Sequence, residues 1–124
     1  MTKVPVISIV DDDESVRVAT KDLVRSLGYA TATFSSAEEF LRSSRLDDTA
    51  CLITDLQMPG MSGLELQRRL LARGCSLPII FMTAFPEARS RAQALAAGAL
   101  GFLSKPLDDE LLVSYLGEAL SEAR

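Results

Sequence analysis

Histidine does not occur in this chain. That single absence excludes imidazole acid–base chemistry, His metal ligation, and Ser-His-Asp or Cys-His catalysis. Cysteine is nearly absent as well: Cys51 and Cys75 stand far apart and no C-x-x-C occurs, so neither a zinc site nor a thioredoxin-type motif is available. Cys51 opens an apolar run as a small core residue, and Cys75 falls in a turn before Pro78. No dense Lys/Arg cluster is present and the net charge is −4, which argues against this segment gripping nucleic acid or an anionic membrane. The longest apolar runs are a handful of residues, too short to span a bilayer. The N-terminal residues lack the apolar length and small-residue cleavage site of a signal peptide, so a cytoplasmic location is expected. Repeats, linkers and low-complexity segments are also missing.

What is present is an ordinary globular balance. The 124 residues are 48% hydrophobic and 24% charged, enough to close one hydrophobic core and too apolar for disorder. The whole chain, 1–124, is therefore expected to be one domain.

Two periods alternate along it. Val4 to Val10 reads as a buried strand with Pro5 near its start. Asp11-Asp12-Asp13 follows, with Asp13 either a solvated charge at the helix start or its N-cap, and then a helix whose inward face is Val16, Ala19, Leu23 and Leu27, stopped by Gly28. Tyr29 to Phe34 is a second strand. Ser36 and Glu39 form a capping box for a short helix with Ala37, Phe40 and Leu41 inward, ending near Ser44. After the polar Asp47-Asp48-Thr49 comes a central strand around Leu52-Ile53, carrying the backbone to Asp55 before Pro59 and Gly60 force a turn. Ser62 and Glu65 open a third helix with Leu64, Leu66, Leu70 and Leu71, which ends at Gly74. Pro78 to Met82 is a strand, Pro86 to Ala97 a helix by propensity, Leu100 to Leu103 a fifth strand, and Asp108 caps a last helix with Leu112, Tyr115, Leu116 and Leu120 inward.

Strands that are apolar throughout, rather than alternating, imply a sheet covered on both faces by the intervening helices. The fold class is therefore α/β: a doubly wound five-stranded parallel sheet, (βα)5, of flavodoxin-like order 2-1-3-4-5. Ligands in such sheets bind beyond the carboxyl ends of the strands, where the winding reverses. The polar residues at those ends are Asp11, Asp12, Asp55, Thr83 and Lys105. Two carboxylates about 4 Å apart repel by roughly 4 kcal/mol at an effective dielectric near 20, so such a cluster needs a proton or a cation. An all-oxygen donor set suits a hard ion, Mg²⁺ or Mn²⁺. Asp55 would attack phosphorus as a nucleophile, Lys105 would pair with a phosphoryl oxygen, and Thr83 would donate to another.

The chain resembles, over essentially its full length, a receiver domain of bacterial two-component response regulators. The likeness rests on Val-Asp-Asp at 10 to 12, Thr-Asp-Leu-Gln-Met-Pro-Gly-Met-Ser-Gly at 54 to 63, Met-Thr-Ala at 82 to 84, and Gly-Phe-Leu-Ser-Lys-Pro at 101 to 106. The phrase around Asp55 is most similar to the FixJ-type subgroup. The resemblance implies the CheY-like form of the fold and Asp55 as phosphoacceptor. It implies a Mg²⁺ site on Asp11, Asp12, Asp55 and the Gln57 carbonyl, Thr83 and Lys105 on the phosphoryl group, Phe102 as an aromatic switch, and a cis peptide between Lys105 and Pro106. It further implies a phosphohistidine donor on a partner histidine kinase, and a homodimer formed through the fourth and fifth βα units on phosphorylation. The domain itself would touch neither nucleic acid nor membrane, and no output domain lies within the chain. It would not turn over an external substrate, catalysing only its own phosphorylation and dephosphorylation.

Rival readings are separable by residue. A dehalogenase-type phosphatase needs a second acid two residues after the nucleophile, where this chain has Gln57; an FMN carrier needs a Gly- and hydroxyl-rich phosphate loop where this chain has three aspartates. A phosphorylation-independent interaction module is the alternative, and it requires the whole acidic set to be idle. Two further expectations concern the neighbourhood. Phe85, where relatives often carry a His-Gly-Asp-like loop, would restrict water at the phosphoryl group; Glu87 to Ala97, with Leu95 its one large aliphatic, would be of low local stability and shift on phosphorylation. Val18 would lie outward on the first helix, at the face offered to the kinase.

Overall fold

In the computed structural model, which describes residues 4–122, strands and helices alternate without exception. The elements are β1 (Val6–Val10), α1 (Glu14–Ser26), β2 (Ala30–Phe34), α2 (Ala37–Arg42), a single 3-10 turn at Ser44–Leu46, β3 (Thr49–Asp55), α3 (Gly63–Ala72), β4 (Ile79–Thr83), α4 (Ala88–Ala96), β5 (Gly101–Ser104) and α5 (Asp109–Glu122). All strand pairings are parallel and the order is β2-β1-β3-β4-β5, the doubly wound arrangement expected.

The unbroken apolar runs divide residue by residue between two cores, because successive side chains of a strand point to opposite faces. Val10, Leu52 and Phe81 join Phe34, Phe40, Leu66 and Leu70 under α2, α3 and α4. Ile7, Ile9, Ile53, Ile80 and Met82 join Val24, Leu103, Leu112 and Leu116 under α1 and α5. Cys51 lies in this second core, where burial pushes its thiol up to about 12 and leaves it inert. Cys75 is half-buried.

Several boundaries and faces differ from the sequence reading. The first strand begins at Val6: Val4 is exposed, and Pro5 contributes a carbonyl to Ala30 but has no N–H to extend the ladder. In α1 the fully buried pair is Thr20 and Val24, whereas Ala19 and Leu27 face outward. The helix is turned because the Thr20 hydroxyl, satisfied by the Val16 carbonyl at 2.8 Å, enters the interior without an unpaired group. In α3 the buried face is Gly63, Leu66, Gln67 and Leu70, the i, i+3, i+4, i+7 pattern of one helix face, while Leu71 is 48% exposed. Gln67 takes the inward place because its Nε2 donates to the Ala94 carbonyl of α4 at 3.1 Å. Thr49 is the first residue of β3 rather than loop; the ends of α2, β4, α4 and β5 move by one to two residues.

Both expected helix starts at Ser36 and Ser62 are capped, each hydroxyl accepting from the backbone N–H three residues on. The return half of each box is absent. Glu39 instead accepts from the N–H and hydroxyl of Ser35, and Glu65 pairs forward with Arg69 at 3.0 Å.

Candidate functional site

The carboxyl ends of β1, β3, β4 and β5 converge where the winding of the sheet reverses, between β1 and β3. Asp11 follows β1 directly and is fully buried; Asp55 is the last residue of β3 and nearly so. Asp12 stands beside them, exposed. One carboxylate oxygen from each of Asp11, Asp12 and Asp55 lies within 4.8 Å of the others.

Lys105, one residue past β5, brings its ammonium into the same pocket, 3.1 Å from Asp11 Oδ2 and 3.4 Å from Asp55 Oδ2. The two strand ends are tied by the Lys105 N–H, which donates to the Thr83 carbonyl at 2.8 Å. The Lys105–Pro106 peptide is cis. Thr83 ends β4, fully buried, and its Oγ1 accepts from the Phe85 N–H at 3.0 Å. Phe102 lies opposite Phe81 in the β4–β5 register, half-buried, with the rings 6.4 Å apart and inclined at 43°. Gln57 is exposed in the loop after β3. Phe85 is 66% exposed, so its ring is not packed as a cover over the pocket.

Charge crowding leaves a signature. Asp55 is pushed up from its ordinary 3.8 to about 6, first by burial and then by the Asp11 charge, with Lys105 and the Gln57 N–H pulling the other way. Burial pulls the Lys105 ammonium down, but the Asp11 carboxylate, and then Asp55, outweigh it and leave it raised. Asp11 uses its Oδ1 to accept from the Asp13 N–H at 2.9 Å. Its Oδ2 is fully enclosed, and the one group described against it is the Lys105 ammonium. Three carboxylates with one ammonium among them are a donor set short of positive charge. Its all-oxygen chemistry fits a hard divalent ion.

Asp13 plays a different part, since its carboxylate accepts from the N–H groups of Ser15 and Val16 and caps α1. Val18 is exposed, on the outward side of that helix. Two residues beside the pocket escape the sequence reading. Arg17 Nη1 donates to the Asp11 carbonyl at 2.7 Å, holding the turn between β1 and α1 from behind. Glu38, on α2, accepts from the Met61 N–H at 3.2 Å in the loop after Asp55. The signal for Arg17 was its place on the first turns of an otherwise acidic helix start; nothing local distinguished Glu38 from its neighbour Glu39.

The chain is similar to known proteins over most of its length. The sequence profile of the response regulator receiver domain matches residues 7–117. The response regulator protein TodT of Pseudomonas putida is 42% identical over 118 residues, 95% of this chain and 52% of that protein. The transcriptional regulatory protein FixJ of Azorhizobium caulinodans is 36% identical over 117 residues, 94% of this chain and 56% of that protein. The chain thus spans about half the length of the curated relatives it matches. Among solved structures, the response regulator StyR superposes with a TM-score of 0.88 at 39% identity, over 96% of this chain and 60% of that one. The structure named FixJ-N superposes with a TM-score of 0.83 at 33% identity, over 95% of this chain and 94% of that one.

Proposed function

The chain belongs to the response regulator receiver domain family, and from that membership we propose that it is a phosphorylation-driven switch with Asp55 as phosphoacceptor. The observation that carries the proposal is the Asp11, Asp12, Asp55 cluster, with the enclosed Asp11 Oδ2 and the Asp55 carboxylate sharing a single ammonium, that of Lys105. Asp11, Asp12, Asp55 and the Gln57 carbonyl would hold Mg²⁺ (Mn²⁺ has the same preferences), which when bound offsets negative charge on the carboxylates and on an incoming phosphoryl group.

An Asp55 oxygen forms the new P–O bond in line with the bond that breaks. The leaving group is the imidazole of a phosphohistidine on a partner histidine kinase, which departs with a proton, or the carboxylate of a small acyl phosphate. The acid must be ionised to attack; with its pKa raised to about 6, Asp55 is largely ionised at neutral pH, and a bound cation would hold it so at lower pH. Lys105 then exchanges a carboxylate partner for a phosphoryl oxygen, and the Thr83 hydroxyl turns its proton toward another.

Phosphorylation adds about −1.5 to −2 of charge. Thr83 moving toward it vacates space into which Phe102, only half-buried, turns inward. The face of α4, β5 and α5 is thereby reshaped and pairs two copies of the chain, while α1 with Val18 faces the kinase. In this role the protein catalyses its own modification and turns over no external substrate.

Incubation with Mg²⁺ and acetyl phosphate, followed by intact-mass measurement, tests the proposal. The native chain should gain one phosphate and Asp55→Asn none. A native chain that stays unmodified, or equal labelling of both, would overturn it.

A further inference from the structure

We propose that Glu38 is a positioning residue for the metal site, acting through the loop that follows Asp55; this rests on the Mg²⁺ reading above. Residues 56–62 leave β3 at the phosphoacceptor and close on themselves at Gly63, the first residue of α3, whose N–H donates to the Leu56 carbonyl at 2.9 Å. Gln57 lies within this loop, and its N–H favours the ionised form of Asp55. The placement of a single loop therefore sets both the Gln57 carbonyl and part of the environment of the reactive carboxylate.

That loop is held on its far side by α2. Met58 and Met61 are buried in the core cluster that contains Ala37 and Phe40 of the same helix. Apolar packing alone fixes depth but not the rotation of the backbone about it. The directional tie is Glu38, whose Oε2 accepts from the Met61 N–H across 23 residues of sequence. Gly60 shows how close the approach is. A Cβ built there would stand 2.7 Å from Glu38 Oε2, and the backbone at Gly60 has φ +77°, a conformation that glycine adopts without cost. The phrases Ser-Ala-Glu-Glu at 36 to 39 and Pro-Gly-Met-Ser at 59 to 62 are thus one mechanical unit.

The two adjacent acids of α2 divide the work, which supplies an internal control. Glu39 closes the start of its own helix by accepting from Ser35, whereas Glu38 reaches outside the helix to the loop. Both carry the same charge on the same turn. A general electrostatic or helix-stability effect would appear in either; a positioning effect appears only in Glu38.

The experiment is calorimetric titration of the full chain with Mg²⁺, together with the rate of labelling by acetyl phosphate. Glu38→Ala should weaken Mg²⁺ by about 10-fold, the low end for residues that orient ligands from outside. Its labelling should be slow at limiting Mg²⁺ and recover at saturating Mg²⁺. Glu38→Gln, which keeps an acceptor oxygen, should bind within about twofold of native, as should Glu39→Ala, since neither loses the Met61 contact. Glu38→Asp, one methylene too short to reach, should behave like Glu38→Ala and serves if the alanine variant does not fold. Native affinity in Glu38→Ala and Glu38→Asp, or equal weakening in Glu39→Ala, overturns the positioning role while leaving the switch intact. A native chain that binds no Mg²⁺ overturns both.

Discussion

Helices α3 and α4 are neighbours on one face of the sheet, yet they are anchored in opposite ways. The start of α3 is capped by Ser62, and the helix buries Gly63, Leu66, Gln67 and Leu70. The start of α4 has no side-chain cap, and the helix buries only Ala94. Cavities of ≈ 350 Å³ and ≈ 170 Å³, both lined by Gln67 and Ala97, lie along their boundary. The single side-chain hydrogen bond described between the two helices runs from Gln67 Nε2 to the Ala94 carbonyl. One helix is built into the core beside the acidic pocket; the other rests on it. A switch needs both kinds of element. The reacting groups must hold their geometry, and some other part must have two arrangements of nearly equal free energy.

The largest expected contrast is in stability. Leu66→Ala, in the full interior of α3, should cost about 2–5 kcal/mol in urea denaturation. Leu95→Ala, at a position 40% exposed on α4, should cost no more than about 0.5 kcal/mol. Similar costs for the two would break the distinction.

The anchored half also carries an electrostatic load that α4 does not share. Asp55 has a folded pKa of about 6 against an ordinary 3.8, so between those values the folded chain holds a proton that the unfolded chain releases. Stability from this group is therefore greatest below about pH 4 and declines as pH rises towards 6. Without divalent metal, the urea midpoint of Asp55→Asn should gain on that of the native protein across this window and stay ahead above it. A constant difference from pH 4 to 7 would contradict the raised pKa.

Smaller effects sharpen the boundary itself. Gln67→Leu keeps the volume and removes the donor to Ala94, at a cost of about 1 kcal/mol. Amide exchange should quicken through residues 88–97 and remain unchanged in α3; uniform quickening would mean that the bond stabilises the whole core instead. Smallest of all is Phe85→Ser. With the ring 66% exposed, loss of phosphate from the labelled chain should speed up modestly at most, and a large acceleration would place the ring over the phosphoryl group in the phosphorylated state.

Periodicity and punctuation in the chain were sufficient for every strand and α-helix of the fold, because strand runs, Ser and Asp caps and the stops at Gly28 and Gly74 are local properties. The gathering of Asp11, Asp12, Asp55, Thr83 and Lys105 was legible too, since a doubly wound sheet brings its strand ends to one edge whatever the intervening sequence. Which polar residues turn inward was not. Thr20 and Gln67 displaced apolar candidates from the buried faces because their hydrogen-bond partners, one on the same helix and one on α4, removed the desolvation penalty. The roles of Arg17 and Glu38 depend likewise on backbone groups that only folding brings within reach, 6 and 23 residues away. Local sequence sets the preference of each segment; the burial of a polar side chain depends on a partner's position, and that is a property of the assembled structure.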